Sequence, residues 1–393
     1  MVGDRVAVFV VFALNGAVYG SWAPRVPALA ERLQAPPGSL GLALLGASVG
    51  MVIAGSLTGR LTERFGSRAV MIVSTLASCV ILPVVGVAGS VAALGVVLFG
   101  LGASVGALDV SMNIGAVVVE RRVGRAIMPV FHAGFSFGGL LASAAAGLAA
   151  AHAWSPFRHF LVAAGIAVVV LLLVARGLPR AQPRAAEAEP RPRVALVKRP
   201  VLWLLASIAL CSAIAEGACS DWSALLLVTS QGLSQGAAAL AFSVFSLAMA
   251  TTRLGGAWVQ NRFGPTRTLA AGAALAGVGL VTAALAPVAG LAYAGFALAG
   301  VGLAASFPIA LSLAGAAGQR GDGGGGEREI AFVTSIAYCG FLAGPPVVGG
   351  IAQLTSLSAS FVVVGLLAAV IAPAAVGAGR ARHRELTADT TVC

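Results

Sequence analysis

The chain repeats itself once, and both copies are hydrophobic. The segment Arg64-Phe65-Gly66 returns in the second half as Arg262-Phe263-Gly264, and His132-Ala133-Gly134-Phe135 returns as Tyr338-Cys339-Gly340-Phe341. A membrane protein built from two similar halves places a solute path at the interface between them, where the two bundles rock against each other. The repeat therefore predicts two similar membrane-embedded bundles and indicates a transporter.

The composition predicts that lipid surrounds most of the chain. Of its 393 residues, 59% are hydrophobic and 10% are charged, and the mean hydropathy is +0.96, whereas a soluble domain carries about 25% charged residues. Stretches of about 20 apolar residues, each long enough to cross a bilayer as a helix, recur along the sequence. They predict an all-α polytopic membrane protein with 12 transmembrane helices in two pseudo-symmetric six-helix bundles. The predicted spans are 5–25, 39–60, 69–88, 91–119, 126–150, 156–175, 201–226, 237–259, 268–286, 290–317, 330–353 and 357–378.

The net charge of +11 comes from basic residues that concentrate on one side of the predicted membrane. Of the 25 Lys and Arg residues, only Arg25, Arg32 and Arg158 fall in the loops of the other side. Because cytoplasmic loops carry the excess of Lys and Arg in membrane proteins, this asymmetry places both termini in the cytoplasm. The basic residues are therefore topology signals that also favour contact with anionic lipid, and nucleic acid is not an expected partner.

The clearest boundary in the sequence is the segment 176–200, which is rich in Pro, Arg, Ala and Glu and predicts an extended cytoplasmic linker. It separates an N-terminal bundle, 1–175, from a C-terminal bundle, 201–378, which a polar and mobile cytoplasmic tail follows at 379–393. A second polar insertion, 319–329, contains four consecutive glycines but lacks the Lys-Ser or Lys-Thr of a phosphate-binding loop. We interpret it as a flexible cytoplasmic loop between spans 10 and 11.

The loop between spans 2 and 3 reads Gly59-Arg60-Leu61-Thr62-Glu63-Arg64-Phe65-Gly66-Ser67-Arg68. It resembles the signature Gly-x-x-x-Asp/Glu-Arg-x-Gly-x-Arg/Lys of the major facilitator superfamily. Together with the 12 spans, the central linker and the second, degenerate copy, the resemblance covers essentially the whole chain. It implies transport by alternating access, which in this family is commonly driven by a proton gradient.

A finer resemblance is to bacterial fucose-permease-like members and to an uncharacterised subgroup of inner-membrane transporters. It implies a bacterial cytoplasmic membrane as the location and says little about the solute. The segments that carry this resemblance are 15–25, 108–113, 131–135, 215–222 and 344–346.

The resemblance also implies a conformational role for the signature loop. In the family its charged residues form a relay that latches the cytoplasmic side in the outward-facing state. The second copy has Asn261 where the first has Glu63, so the latch is predicted to be stronger in the N-terminal half. A tight turn flanked by basic topology signals is the other interpretation, and the spacing favours the latch. The residues assigned to this latch are Gly59, Glu63, Arg64, Gly66 and Arg68.

Three acidic residues, Asp109, Glu216 and Asp221, fall inside predicted spans. A charge at the bilayer centre costs at least ~2.5–3.5 kcal/mol on insertion scales, so such residues face the bundle interior or a water-filled cavity. Asp109 and Asn113 share one face of span 4. The pair resembles the acid-x-x-x-Asn pattern of fucose permease relatives, in which the acid participates in coupling. The alternative is a buried acid that is hydrogen-bonded to its own asparagine.

Glu216, near the middle of span 7, has Asn15 of span 1 as its repeat partner. Two symmetry-related polar residues are well placed to hold a polar solute from opposite sides. Fucose permease carries an acid in span 1, so the asparagine is a departure that leaves sugar specificity open. Because burial disfavours the charged form of a carboxylic acid, Glu216 or Asp109 is a candidate to take up and release a proton as its exposure alternates. The sequence does not rank the two.

His132 and Tyr338 occupy matching positions in spans 5 and 11, and each brings one hydrogen-bonding group to an apolar stretch. The sequence leaves open whether they face a solute cavity or pack against neighbouring helices. Asp221 lies towards the outer end of span 7, where it would form an outer gate or cap a helix. Trp22 and Trp222 lie near span ends, where tryptophan typically anchors a helix in the membrane interface.

Proton-coupled secondary transport of a small polar solute is the function that these features favour. We find neither a nucleophile–base pair nor a metal-ligand spacing, so we expect no enzyme activity, no metal and no cofactor. An ATP-binding motif is also missing from the sequence. Efflux of amphipathic compounds and a non-transporting solute sensor are the alternatives, although the loops are short for a sensor's output domain. Because one chain holds both halves, we expect a monomer to be functional.

Overall fold

The computed structural model describes residues 3–124, 127–180, 196–318 and 326–390. Within these ranges the chain forms fifteen α-helices and no β-strand. Twelve helical segments are long and apolar enough to cross a membrane, which confirms the predicted number of spans and the all-α fold class. Most of the predicted linker, 181–195, and of the glycine-rich insertion, 319–325, lies outside the described residues. The helices are α1 (Asp4–Trp22), α2 (Val26–Leu33), α3 (Pro37–Phe65), α4 (Ser67–Val85), α5 (Val91–Val123), α6 (Met128–Ala151), α7 (Pro156–Val174), α8 (Pro200–Gln231), α9 (Gln235–Phe263), α10 (Pro265–Leu285), α11 (Ala289–Leu303), α12 (Ser306–Gly318), α13 (Glu327–Leu354), α14 (Leu357–Ala369) and α15 (Ile371–Thr390).

Serine caps begin four of these helices at the ends remote from the chain termini. The hydroxyl oxygens of Ser90, Ser155, Ser234 and Ser356 each accept a hydrogen bond from the backbone N–H three residues later, at 3.1–3.3 Å. A serine at this position satisfies a donor that the first helical turn leaves unpaired and stabilises the helix by about 1 kcal/mol relative to alanine. The start of α5, α7, α9 and α14 is therefore set by local sequence.

Prolines interrupt three of the spans. Span 1 passes through a 3₁₀ turn at Ala23–Arg25 and continues as α2, so that it ends later than predicted. Span 10 is broken between α11 and α12 because Pro308 has no N–H for the carbonyl of Ala304 and its ring crowds that carbonyl. In the same way, Pro373 lies four residues after Ala369, where α14 ends.

The last helix differs from the prediction of a mobile tail at 379–393, because α15 continues through Thr390. Ion pairs stabilise the polar C-terminal end of α15. The Arg199 guanidinium donates to Glu385 at 2.7 Å and to Glu329 at 3.2 Å, so that the residue preceding α8 is joined to both α13 and α15.

Glycines set the closest helix contacts in the first half. A Cβ atom at Gly138 of α6 would lie 1.9 Å from the carbonyl oxygen of Ala13 in α1. A Cβ at Gly102 of α5 would lie equally close to the carbonyl oxygen of Ala47 in α3. These contacts leave no room for a side chain, so small residues allow the helix backbones to pack directly.

The two halves touch at the helix ends remote from the termini. In the described part of the chain, hydrogen bonds between the halves join Ser243 to Ser143, Ser143 to Ala239, Gly38 to Gln353 and Gln235 to Glu31. Near the opposite ends, a Cβ atom at Gly59, Gly255 or Gly256 would meet no atom within 4 Å. Among the described residues, the halves are therefore hydrogen-bonded to each other on one side, and these three glycines border open space on the side of the termini. With the predicted topology, this is an inward-facing arrangement.

Candidate functional site

Acidic and phenolic side chains from both halves surround Tyr19 of α1. Its hydroxyl interacts electrostatically with Asp109, Glu216, Asp221 and the hydroxyl of Tyr338. These four residues lie on α5, α8 and α13, so the site spans the interface between the halves. The sequence predicted the four partners but missed Tyr19, although a lone phenol in the apolar stretch of span 1 was a usable signal.

The position of Tyr19 is fixed by two contacts inside the first half. Its hydroxyl donates to Met51 Sδ at 3.5 Å. Its ring meets Phe135 edge-on, with ring centroids 5.9 Å apart, which is a favourable aromatic geometry. Phe135 thus packs against a residue of the site.

Asp109 has a half-buried side chain that forms no ion pair with any described residue. The side-chain amide of Asn113 donates at 2.8 Å to the backbone carbonyl of Asp109, so this bond does not occupy the carboxylate. Tyr338, from the other half, lies within electrostatic range of Asp109. The carboxylate is therefore available to a solute or a proton.

Glu216 and Arg253 form an ion pair inside the second half. The Arg253 Nη2 and Glu216 Oε1 atoms are 3.8 Å apart, and the two side chains are 25% and 28% exposed. The Arg253 Nε donates at 3.3 Å to the carbonyl oxygen of Ala304. That carbonyl is free because Pro308, four residues later, has no N–H to offer it. Arg253 therefore links the carboxylate in α8 to the break in span 10, and broken helices line the solute sites of many transporters.

Arg253 was missed from the sequence because it was counted among the basic topology signals. The predicted span 237–259 already enclosed it, and α9 carries it as a continuous helix over Gln235–Phe263. An ionisable residue inside a span is by default a functional candidate. That criterion, applied to basic as well as acidic residues, would have identified it.

Asn15 and His132 lie in different surroundings within the first half. Asn15 is 1% exposed; its amide donates to Met112 Sδ at 3.7 Å, and its Oδ1 has no hydrogen-bond partner among the described residues. The structure thus packs Asn15 against α5. His132 has an exposed side chain whose ring meets Phe12 edge-on at 5.2 Å, which leaves it accessible.

The prediction that Trp22 and Trp222 anchor helices in the membrane interface is wrong. Both side chains are buried inside the protein, with 4% and 0% exposure. A Cβ atom at Gly349 would lie 3.1 Å from the ring of Trp222. Both indoles belong to one buried hydrophobic cluster with residues of both halves, which sequence position alone does not reveal.

The structure brings few metal-ligating groups together. Among the described residues, no group of three or more His, Cys, Asp or Glu side chains could hold a metal ion. Cys79, Cys211 and Cys219 are buried free thiols, whereas Cys339 is exposed. Cys393 lies outside the described residues.

The signature loop and its second copy share one backbone geometry. Gly66 has φ +80° and ψ 149°, and Gly264 has φ +81° and ψ 160°. Each N–H bonds at 2.9 Å to the carbonyl four residues earlier. A positive φ is readily adopted by glycine. Arg64 lies over the ring of Phe65, and no ion pair joins Glu63 or Arg68 to another residue in the described part of the chain.

We expect Glu63→Gln or Arg68→Ala to slow transport while solute affinity stays within about tenfold, a change of ~1.4 kcal/mol. The reason is that the loop lies between α3 and α4 at the open side, away from Tyr19. Transport rate and Kd should be measured on the same preparations. Arg262→Ala is the matched control, because the second copy has Asn261 in place of an acid. A large loss of affinity at unchanged turnover would contradict the latch.

Comparison with known proteins identifies the family of the chain. The family model of the Major Facilitator Superfamily matches residues 8–325 and 226–390. The chain is 34% identical over 379 residues to an uncharacterized MFS-type transporter of Yersinia pestis, with 95% of each chain covered.

Two solved structures share the fold. A bacterial homologue of the human lysosomal transporter Spinster, in an inward-facing and occupied conformation, has a TM-score of 0.78 at 14% identity, with 97% of this chain and 98% of that chain covered. A variant of the Escherichia coli fucose:proton symporter FucP has a TM-score of 0.62 at 19% identity, with 95% and 98% covered. The predicted resemblance is confirmed: the chain is a multi-pass membrane protein that belongs to the major facilitator superfamily of transporters.

Proposed function

We propose that this protein is a secondary active transporter that moves a small polar solute by alternating access and couples it to a proton. The observation that carries the proposal is the meeting of acids from both halves around Tyr19, between bundles whose hydrogen bonds to each other, among the described residues, lie on one side. When the halves rock, such a site is exposed to each side of the membrane in turn. A proton and a solute that share it are thereby carried together.

The geometry favours different roles for two of the acids. Glu216 has a cationic partner in Arg253, whose Nη2 lies 3.8 Å from Glu216 Oε1, so that the two side chains together offer a donor and an acceptor to a polar solute. Asp109 has no such partner among the described residues, so no fixed cation holds its carboxylate. We assign proton transfer to Asp109, and we assign solute binding to Glu216 and Arg253.

Proton flux tests the function even while the solute is unidentified. The purified protein is reconstituted in liposomes that contain a trapped pH dye, and monosaccharides, polyols, nucleosides and amino acids are added in turn. We expect one class of polar solute to drive proton movement in proteoliposomes and not in protein-free liposomes. Amphipathic compounds that alone drive proton movement would instead identify the efflux function.

The solute-binding pair is tested by a double-mutant cycle. We expect Glu216→Gln and Arg253→Gln each to weaken solute binding by about tenfold or more, since each leaves one partner unpaired. If the pair acts as a unit, the double variant should bind more tightly than the product of the two single losses predicts. Thr252→Val, next to Arg253, is the control, because its hydroxyl bonds to the Ala248 carbonyl of its own helix. Unchanged affinity in both single variants would refute the assignment.

The arrangement is inward-facing only if both termini lie in the cytoplasm. Accessibility labelling tests that topology. Ser234 is exposed at the start of α9, on the side remote from the termini. In intact cells we expect Ser234→Cys, in a background with Cys339→Ser and Cys393→Ser, to react with a membrane-impermeant thiol reagent. Reaction only after permeabilisation would reverse the topology.

A further inference from the structure

A second polar site lies at the closed ends of the two halves, apart from the residues around Tyr19. A recess of about 730 Å³ opens there and is lined by residues from both halves. On the predicted topology it faces the outside. Its polar lining includes Arg25, Glu31, Arg32, Trp154 and Gln235.

Arg25 is a buried cation without a counterion at this recess. The residue is 2% exposed, and its Nη2 donates to the backbone carbonyl of Trp154. Its Nε and Nη1 have no hydrogen-bond partner among the described residues, and no described carboxylate pairs with it. His159, 5% exposed, interacts electrostatically with Arg25, and its Nδ1 also has no described partner. Buried polar groups are nearly always hydrogen-bonded, and Arg25 lines the recess, so its two unpaired N–H groups point to an acceptor that binds there.

The charges around Arg25 favour an anion. The Arg32 guanidinium is held by the backbone carbonyls of Gly86 and Ala88, and Arg158 lies 4.2 Å above the ring of Trp154. Glu31 of α2 is the one acidic residue among those that line the recess. The local potential is therefore positive and attracts anions to the recess.

Closure of the two halves is what buries Arg25. The 3₁₀ turn that contains it, Ala23–Arg25, belongs to the first half but packs against α8 and α9 of the second half. If the halves separated on this side, water would screen the guanidinium, and an anion would gain little by binding it. In the closed arrangement the same anion meets a desolvated cation. A ligand that binds one state more strongly shifts the population towards that state.

We propose that a small monovalent anion binds at Arg25 in the recess and stabilises the state in which this side is closed. Halide ions and carboxylate groups share the required chemistry, since both accept hydrogen bonds from a guanidinium. The anion would act on the closed side of the molecule and needs neither a solute nor a proton gradient. The inference therefore stands or fails independently of the proposed transport cycle.

Disulfide trapping of the closed state provides the readout. A Cβ atom at Gly38 would lie 3.4 Å from the Cβ of Gln353 across the interface, close to the spacing of about 3.5–4.5 Å in a disulfide. Gly38→Cys and Gln353→Cys are introduced together into the full chain with Cys339→Ser and Cys393→Ser. In purified protein, sodium chloride or sodium acetate is titrated against sodium isethionate at constant ionic strength. We expect the rate of disulfide formation to rise saturably by about twofold or more.

Variants at Arg25 decide whether the effect belongs to this site. Arg25→Gln should abolish the anion dependence, whereas Arg25→Lys should retain part of it because the charge remains. Arg158 is an exposed arginine on the same rim, and Arg158→Gln should keep the full response.

A response to chloride alone would identify an inorganic ion, and a response to acetate alone would identify a carboxylate ligand. No saturable effect of either anion in the parent protein, or an equal effect in Arg25→Gln, would overturn the proposal. If Arg25→Gln does not fold, the comparison of Arg25→Lys with Arg158→Gln gives the same decision, because equal responses would contradict a role for Arg25.

Discussion

Asp109→Asn is expected to abolish solute accumulation driven by a pH gradient while solute exchange down its own gradient continues. The substitution keeps most of the shape of the side chain and removes its ability to titrate. Asp109 has no ion-pair partner among the described residues and lies within electrostatic range of Tyr19 and Tyr338. If Asp109 carries the proton, as we propose, its substitution uncouples transport without dismantling the binding pair. Uptake and counterflow should be compared in the same proteoliposomes.

The control for this prediction makes the same chemical change elsewhere. Asp4→Asn removes a carboxylate that pairs with the exposed Arg122 at 3.3 Å, and exposed pairs contribute about 0–1 kcal/mol to stability. We expect it to accumulate solute as the parent protein does. Continued pH-driven accumulation by Asp109→Asn would remove Asp109 from the coupling role. Asp221, the other acid near Tyr19 without an ion pair in the described chain, would then be tested in the same way.

Gly349→Leu is expected to slow transport strongly by disfavouring closure of the side remote from the termini. A Cβ atom there would lie 2.5 Å from the carbonyl oxygen of Pro37 and 3.1 Å from the Cα of Gly41, both in the other half. Overpacking costs about 1–3 kcal/mol, which lowers the population of the closed state by roughly 5- to 150-fold. The contacts with Pro37 and Gly41 join the two halves, and within its own bundle the added side chain meets the far edge of the Trp222 ring at 3.1 Å, so each bundle should still fold.

Closure can be measured on a different pair of helices. Ser143 of α6 and Ser243 of α9 have hydroxyl oxygens 2.7 Å apart across the interface, so Ser143→Cys and Ser243→Cys should form a disulfide only when that side is closed. We expect Gly349→Leu to suppress this disulfide. The neighbouring Gly350→Leu is the matched control, because a Cβ there meets no atom within 4 Å. Normal transport by Gly349→Leu would show that the closed contact is not required.

The fold was largely predictable because each span carries its own signal. Length and hydropathy determine whether a helix crosses the membrane, and all 12 spans were recognised. The breaks were also encoded locally. Pro308 predicts a free carbonyl at Ala304, although span 10 was predicted to be continuous. The extension of α15 was missed because its polar end is stabilised by Arg199, which lies far away in the sequence.

The site was predicted less completely. A polar residue within a span is expected to face the protein interior, but the sequence does not show which residue it contacts there. Asp109, Glu216, Asp221 and Tyr338 were identified as unusual residues for a membrane helix, and the structure places all four around Tyr19. Asn15 was equally unusual by sequence, yet its amide contacts Met112 inside the first half. The direction of a side chain depends on helix rotation, which packing with neighbours sets.

By itself the sequence determined the number of spans, the internal repeat and the glycine turns at Gly66 and Gly264. These follow from hydrophobicity and backbone sterics, which act within a few residues. Only the tertiary structure decided that Arg253 pairs with Glu216, that Trp22 and Trp222 are buried, and that the halves meet on one side. Those contacts join segments distant in the chain, and their energies depend on how whole helices rotate and pack, which no local pattern encodes.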